Sequence, residues 1–331
     1  MRLQVPPSLT PDHLLEEVTG YYGTGAEAAT VSIQSFYDTF DWRLYRRGLV
    51  LCREGNTYHL LSREASEPVS TSTCDTQARP CFWQEFPPGS LRNRLNIYLD
   101  IRALLHLTSI QKEARSFWVI NGLHQIILWV VWEEIWSVHR TEPIPLQRAL
   151  VLEPAPGHRQ EVNVFRNHLT ALEIEQDAPD EFLVVLDAIG VAPGSYSSKL
   201  NIALQPDMPA RLATCMILEQ LLQTIRQNQK GIQLDIDSEF LHDFRVAIRR
   251  TRVVLNQIKE VLPPDITGTY RQEFAILGRL TNRLRDLDVY LLKQDSYRTM
   301  LPEPLWPGLD LIFRTFAAER RSELNRVVQQ L

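Results

Sequence analysis

Apolar residues alternate in short runs up to about residue 190, and from about residue 208 they recur every three or four positions. The early runs are VSIQSFYDTF, GLVLCREGNTYHLLSRE, CFWQEF, SFWVINGLHQIILWVVWEEIW and LQRALVLEPAPG, rich in β-branched and aromatic residues and bounded by Gly, Pro, Asn and Ser. That pattern predicts antiparallel strands. Two helices are expected between them, over Ser90 to Leu105 and, after the turn at 155–157, over His158 to Leu172. A sheet interrupted by helices makes residues 1–190 an α+β domain. The stretch VAPGSYSSKLNIALQPDMPA carries three prolines, and the linker is placed at 191–207. From 208 to 331 the period is helical, and helices are expected over about 209–230, 238–262, 269–296 and 306–331. Pro263 and Pro264 end the second, and Pro302, Pro304 and Pro307 punctuate the approach to the fourth. Four long helices with short connections predict an all-α four-helix bundle.

Composition adds exclusions. A chain of 331 residues with 44% apolar and 23% charged residues has room for two cores. Cys52, Cys74, Cys81 and Cys215 form no CxxC pair, so a thiolate zinc cage is not expected, and they read as reduced thiols. The N-terminal MRLQVPPSLTPDHLLEEV lacks the apolar core of a signal peptide. The most apolar run, IILWVVW at 126–132, is too short to cross a bilayer and reads as a buried strand. A cytoplasmic protein is the expectation. The net charge of −5 hides an asymmetry: from Met208 onward 18 Lys and Arg face 15 Asp and Glu, and the first 207 residues hold the remaining 17 and 25.

The informative stretch is FLHDFRVAIRRTRVVLNQIK, 240–259. At about 100° per residue, Phe244, Ala247, Ile248, Thr251, Val254, Leu255 and Ile258 form one stripe, the side that buries itself in a bundle. His242, Arg245, Arg249, Arg252 and Lys259 gather on the opposite side, where like charges at this spacing cost a few tenths of a kcal/mol each. Two readings stand. The face is solvated and its arginines pair with acids of a neighbouring helix, or it waits for an anion. Guanidinium suits oxyanions because its fixed fork grips two oxygens, and a solubilising face more often mixes Lys with Glu. The third helix adds Arg279, Arg283 and Arg285, with Asp286 and Asp288 placed to orient arginines of an adjacent helix. Arg314, Arg320, Arg321 and Arg326 on the fourth are interleaved with Glu319 and Glu323 and read as surface pairs. Polyanion candidates are therefore His242, Arg245, Arg249, Arg250, Arg252, Lys259, Arg279, Arg283 and Arg285, with no cofactor and no metal site expected. Nucleic acid is the less favoured polyanion, since the arginine row carries no exposed aromatic for base stacking.

LHDFRVAIRRTRVVL followed some thirty residues later by RLRDLDVYL resembles the CHAD family of conserved-histidine helical modules. The resemblance implies binding of inorganic polyphosphate along a basic surface. It matches His242, Arg245, Arg249, Arg252 and Arg285 to the family's basic positions and Arg250 to its paired-arginine slot. It also implies a fold of two four-helix halves, of which this chain holds the first, so a fragment or a homodimer that completes the surface is expected. Association with polyphosphate granules would follow. The N-terminal region resembles the CYTH, or triphosphate tunnel, fold through SFYDTFDWRLYRRGLVLCREGNTYHLLSRE and VLEPAPGHRQEVNVFRNHLTAL. That implies an antiparallel tunnel or barrel-like domain. The ExExK strand of active members is absent; Arg2, Gln4 and Pro6 stand where it would be sought. A degenerate, non-catalytic domain is expected, with an inorganic triphosphatase or phosphohydrolase as the alternative. Arg43, Arg53 and Arg63 either line a residual anion pocket or are ordinary strand-surface residues.

Overall fold

The computed structural model describes residues 1–331 apart from 65–67, 75–80, 139–142 and 175–176. Contacts divide the chain into two units. One comprises residues 1–100 and 104–195, the other residues 101–103 and 196–331.

Among the described residues the first unit forms a nine-stranded antiparallel sheet. Its strands are β1 (Arg2–Gln4), β2 (Gly23–Ala26), β3 (Thr30–Asp38), β4 (Leu49–Glu54), β5 (Thr57–Ser62), β6 (Pro68–Thr73), β7 (Leu105–Ile120), β8 (Ile126–Ser137) and β9 (Ile144–Pro154). They run in the order β1-β9-β8-β7-β3-β4-β5-β6, with β2 also on β7. Among the described residues β1 and β6 do not pair with each other, so the sheet is open, not closed into a barrel. Period-two alternation sends successive side chains to opposite faces. Phe36, Val50, Cys52, Ile110 and Ile135 meet helix α4 (Glu181–Ala188) through Phe182, Val185 and Leu186 on one face. On the other, Phe117, Leu128, Val130, Trp132 and Leu150 pack with α1 (Pro11–Thr19) and α3 (Arg159–Leu169), while Leu51, Tyr58 and Leu60 pack with α2 (Ser90–Leu99). The turn after β3 is organised by buried Asp38, which accepts backbone N–H bonds from Thr39, Leu44 and Tyr45 at 2.7, 3.0 and 2.9 Å. Burial nevertheless pushes its carboxyl up to about 6, against the pull of those donors.

Two expectations need correction in this unit. CFWQEF is not a strand: residues 83–85 form a single 3₁₀ turn, and only Cys81 bridges to Leu104. Pro87 and Pro88 follow at once, which removes ladder donors and fixes Phe86 extended. The helix expected to reach Leu105 stops at Leu99, because Asp100 turns out of the helical region with φ 54°.

The second unit is helical: α5 (Ala210–Gln233), α6 (Ser238–Gln257), α7 (Pro264–Leu280), α8 (Asn282–Leu292), α9 (Gln294–Thr299) and α10 (Trp306–Val328). Residues 191–209 form no helix or strand. α5 and α6 make a hairpin, α7 packs on α6, and α8 bridges α6 and α10. α6 begins where Asp237 accepts from the Glu239 and Phe240 amides at 2.9 and 3.3 Å, an N-cap that satisfies two orphan donors. It ends at Ile258, in extended conformation, ahead of Pro263. Phe240, Leu241, Phe244, Ile248 and Leu255 are buried, each contributing about 1.5–3 kcal/mol.

The helix expected over 269–296 is instead cut at Thr281 and again at Lys293. Thr281 is fully buried and its hydroxyl lies within bonding reach of the Leu277 and Gly278 carbonyls. Side chains competing for backbone carbonyls in this way bend helices. Arg326 caps the freed Leu280 carbonyl at 2.9 Å, so the break is satisfied by a donor from α10.

Gly231 near the end of α5 has no room for a side chain, since a Cβ there would fall inside the Phe240 ring. The ring cannot withdraw freely, because the Arg102 guanidinium stacks 5.1 Å from its centroid. Gly231→Ala should therefore destabilise the helical unit by about 2 kcal/mol, overpacking outweighing the gain in helix propensity. Urea unfolding followed by circular dichroism reads the difference, and an unchanged or raised midpoint would show that the packing adapts.

Candidate anion-binding groove

Opposite its buried stripe, α6 turns His242, Arg245, Arg249 and Arg252 towards α7 and α8, over about 15 Å of helix. Gly278 and Arg279 from α7, with Asn282 and Arg285 from α8, form the other wall of a groove of about 350 Å³. Five arginines and a histidine line it together with Val246 and Ile248, and no carboxylate does. The groove exists because α7 ends at Thr281: the break lets two short helices, not one straight rod, face α6.

The arginines play different parts. Arg245 is half-buried and donates through Nη1 to the Gly278 carbonyl at 3.1 Å and to Thr281 Oγ1 at 2.8 Å. Arg285 donates to the Ser238 carbonyl at 3.1 Å and stands 3.8 Å from Glu239. Arg245 is fixed through Nη1 alone, and Arg285 through Nη1 with Nη2 facing Glu239. Arg249, Arg252 and Arg279 are exposed and make no hydrogen bond or ion pair within the described residues. Burial pushes the Arg245 pKa below its ordinary value; Asp286 opposes that, and Arg285 and Arg249 add to it. Five guanidinium groups on one groove make a site of crowded positive charge, which an oxyanion would relieve.

The remaining candidates lie elsewhere. Arg250 donates to the Ser198 carbonyl at 2.8 Å. Lys259 follows the end of α6 and is exposed. Arg283 makes a two-pronged pair with Glu319, both bonds at 2.6 Å, and that pairing raises its pKa. Asp288 takes Arg320 of α10 at 2.6 Å, and Arg320 also grips Asp235 at 2.8 and 2.7 Å. The fourth-helix arginines are thus only partly surface pairs, since Asp288 is buried.

The sheet unit holds a second polar pocket, of about 420 Å³, on the face that α4 covers. Here cations and carboxylates are matched. Arg2 meets Glu133 and Glu181, each at 2.6 Å, and Lys112 meets the same two at 2.7 and 3.4 Å. Arg63 pairs with Asp180 at 2.7 Å and lies over the Tyr45 ring. Arg43 and Arg53 do not line this pocket: Arg43 engages Asp41 and the Leu99 carbonyl, and Arg53 the Gly55 carbonyl. Lys112, Glu133 and Glu181 escape sequence reading because sheet register and α4 bring them together across some seventy residues. Among the described residues no group of three or more His, Cys, Asp or Glu is arranged to hold a metal ion, and no helix is long and apolar enough to cross a membrane.

Residues 216–331 match the CHAD domain, so the helical unit carries the module that the LHDFRVAIRRTRVVL stretch resembles. No curated protein matches the chain. Among solved structures, HpAC1 from Hippeastrum, whose structure is described as revealing a dominant triphosphatase activity, shares 11% identity over 60% of this chain and 98% of that one, at a TM-score of 0.41.

The charge quartet of the sheet unit gives a pH-dependent expectation. Burial alone would raise Glu181; Lys112 and Arg2 overcome it and hold its pKa below the ordinary carboxylate range. A depressed folded pKa contributes stability that is complete above the unfolded value of about 4.3 and is lost as pH falls through the folded one. Lys112→Met should cost the sheet unit about 3 kcal/mol at neutral pH, where Glu133 and Glu181 are left with Arg2 alone. The loss should shrink near pH 4, where Glu181, no longer held down by Lys112, can protonate. Denaturant unfolding at the two pH values measures it; an equal loss at both would mean that the lysine acts by packing.

Proposed function

We propose that the helical unit binds inorganic polyphosphate, with the groove between α6 and the α7–α8 break as the binding surface. One observation carries this reading: five arginines converge on a groove that no carboxylate enters. Ion pairing within the protein is the rival use of an arginine face. Arg283 and Arg320 follow it, whereas Arg249, Arg252 and Arg279 do not. The CHAD match agrees, since the sequence resemblance implies the same ligand.

The chemistry favours phosphate chains over nucleic acid. No Phe, Tyr or Trp lines the groove, so there is no platform for a base. What the groove offers is forked donors. Arg245, tethered to a carbonyl through Nη1, presents its remaining nitrogens from a fixed position, Arg285 is held beside it by Ser238 and Glu239, and Arg249, Arg252 and Arg279 are free to follow successive phosphates. His242 at the N-terminal end of the row can donate one more hydrogen bond. Binding of this kind would place the protein wherever polyphosphate accumulates, granules included.

The double variant Arg249→Glu and Arg252→Glu tests the reading, because both side chains are exposed and hold no internal bond. Retention on immobilised polyphosphate should fall at least about a hundred-fold at physiological salt, each lost charge-assisted contact being worth about 1.5–3 kcal/mol. The circular dichroism spectrum should be unchanged. For the wild type, log affinity should fall with log salt at a slope of about −3 to −4, as expected for release of counterions from about five contacts. Wild-type retention by the double variant would defeat the assignment.

A further inference from the structure

Residues 101–103 stand in the sequence between α2 and β7, yet their contacts make them part of the helical unit. Arg102 is 1% exposed. Its guanidinium donates to Asp237 at 3.2 Å and to Asp243 at 2.8 Å, and the neighbouring Ala103 amide donates to Asp237 at 3.1 Å. Asp243 also accepts from the buried Tyr196 hydroxyl at 2.8 Å, and Tyr196 in turn accepts from Asn228 of α5 at 2.7 Å. The far face of the guanidinium lies over Phe240.

Both carboxylates belong to the start of α6. Asp237 is its N-cap, and Asp243 lies between His242 and Phe244 on its second turn. Buried carboxylates are tolerated only when paired and fully hydrogen-bonded, and here the described residues place one cation against both. The turn that Arg102 fixes is the one from which His242 and Arg245 project.

We infer that Arg102 is a positioning residue for the arginine groove, holding the first two turns of α6 through Asp237 and Asp243 although it lies outside the helical part of the sequence. The claim about the groove rests on the polyphosphate reading; the claim about α6 does not. It follows that a chain reduced to residues 196–331 lacks a component of its own fold and leaves the buried Asp237 and Asp243 without their counter-ion.

The test keeps the full chain and separates charge from bulk. Arg102→Met preserves volume and removes the cation. Hydrogen exchange of the amides of residues 238–245 should speed up by at least about a hundred-fold, the loss expected when one partner of a buried pair is removed, while the sheet amides keep their protection. Retention on polyphosphate should fall at least about ten-fold. Adding Asp237→Asn and Asp243→Asn to Arg102→Met should restore both readouts to within about three-fold of wild type, because asparagine still caps a helix and no unpaired charge remains. A merely space-filling Arg102 would give no such rescue. Unchanged exchange in Arg102→Met, or a defect that the triple variant does not repair, overturns the inference. If exchange responds as expected but wild type and variant both ignore polyphosphate, the clamp stands and the polyphosphate reading fails.

Discussion

Arginines gathered along one groove repel one another, and the helical unit has to hold them together before any ligand arrives. Magnitudes show how it can. Each like-charge neighbour on a helix costs a few tenths of a kcal/mol, whereas each large apolar side chain of the buried stripe, such as Phe244 or Ile248, contributes several times as much. The stripe therefore dictates where α6 lies, and the opposite face is free to carry charge that its own protein does not neutralise. Carbonyl oxygens do part of the holding: Gly278 takes Arg245 and Ser238 takes Arg285. A carbonyl offers a partial negative charge that steadies a guanidinium without cancelling it, which a carboxylate would do.

The two polar pockets of the chain make the contrast plain. On the α4 face of the sheet, Arg2 and Lys112 share Glu133 and Glu181, and Arg63 has Asp180, so each cation already has its anion. An incoming phosphate there would have to displace a carboxylate that burial has made reluctant to leave. In the helical groove only Arg285 has a carboxylate within ion-pair distance, Glu239 at 3.8 Å, and Arg249, Arg252 and Arg279 have none among the described residues. Two surfaces of similar volume thus differ in what they can do: the sheet pocket sets three cations among carboxylates, and the helical groove sets five arginines where no carboxylate lines the wall.

How much of this is legible in the sequence depends on the range of the interactions involved. The antiparallel strands, the buried stripe of α6 and the arginine row opposite it are local periodicities, and the helical module is recognisable from two motifs in order. The proline pair after Phe86 is a local signal too, and it argues against a strand at CFWQEF. The start of α1, with Thr10 as N-cap and Pro11 in the first turn, and Asp180 at the head of α4 are equally local capping signals, of the kind that marks a helix before any tertiary contact is known. Beyond reach are features set by distant partners. The cut at Thr281 needs Arg245 from α6 and Arg326 from α10. The sorting of Arg283 out of the groove needs Glu319, and the sheet quartet needs a strand register. Arg102 has no local pattern at all.

These distant partners share a direction of action that bears on affinity. Asp237 and Asp243 with Arg102, the Thr281 break with Arg245, and the Ser238 carbonyl with Arg285 all fix groups at the floor of the groove. The exposed Arg249, Arg252 and Arg279 at its rim are left unconstrained. Ordering a long side chain on binding costs about 0.5–1.5 kcal/mol, so on the proposed polyphosphate reading a floor ordered during folding spares that cost for the deepest contacts, and the exposed arginines keep their rotamer freedom until contact. A floor held by internal bonds beside a rim that makes none suits the proposed repetitive polymer better than a single small anion, which would be gripped most firmly by a groove ordered throughout.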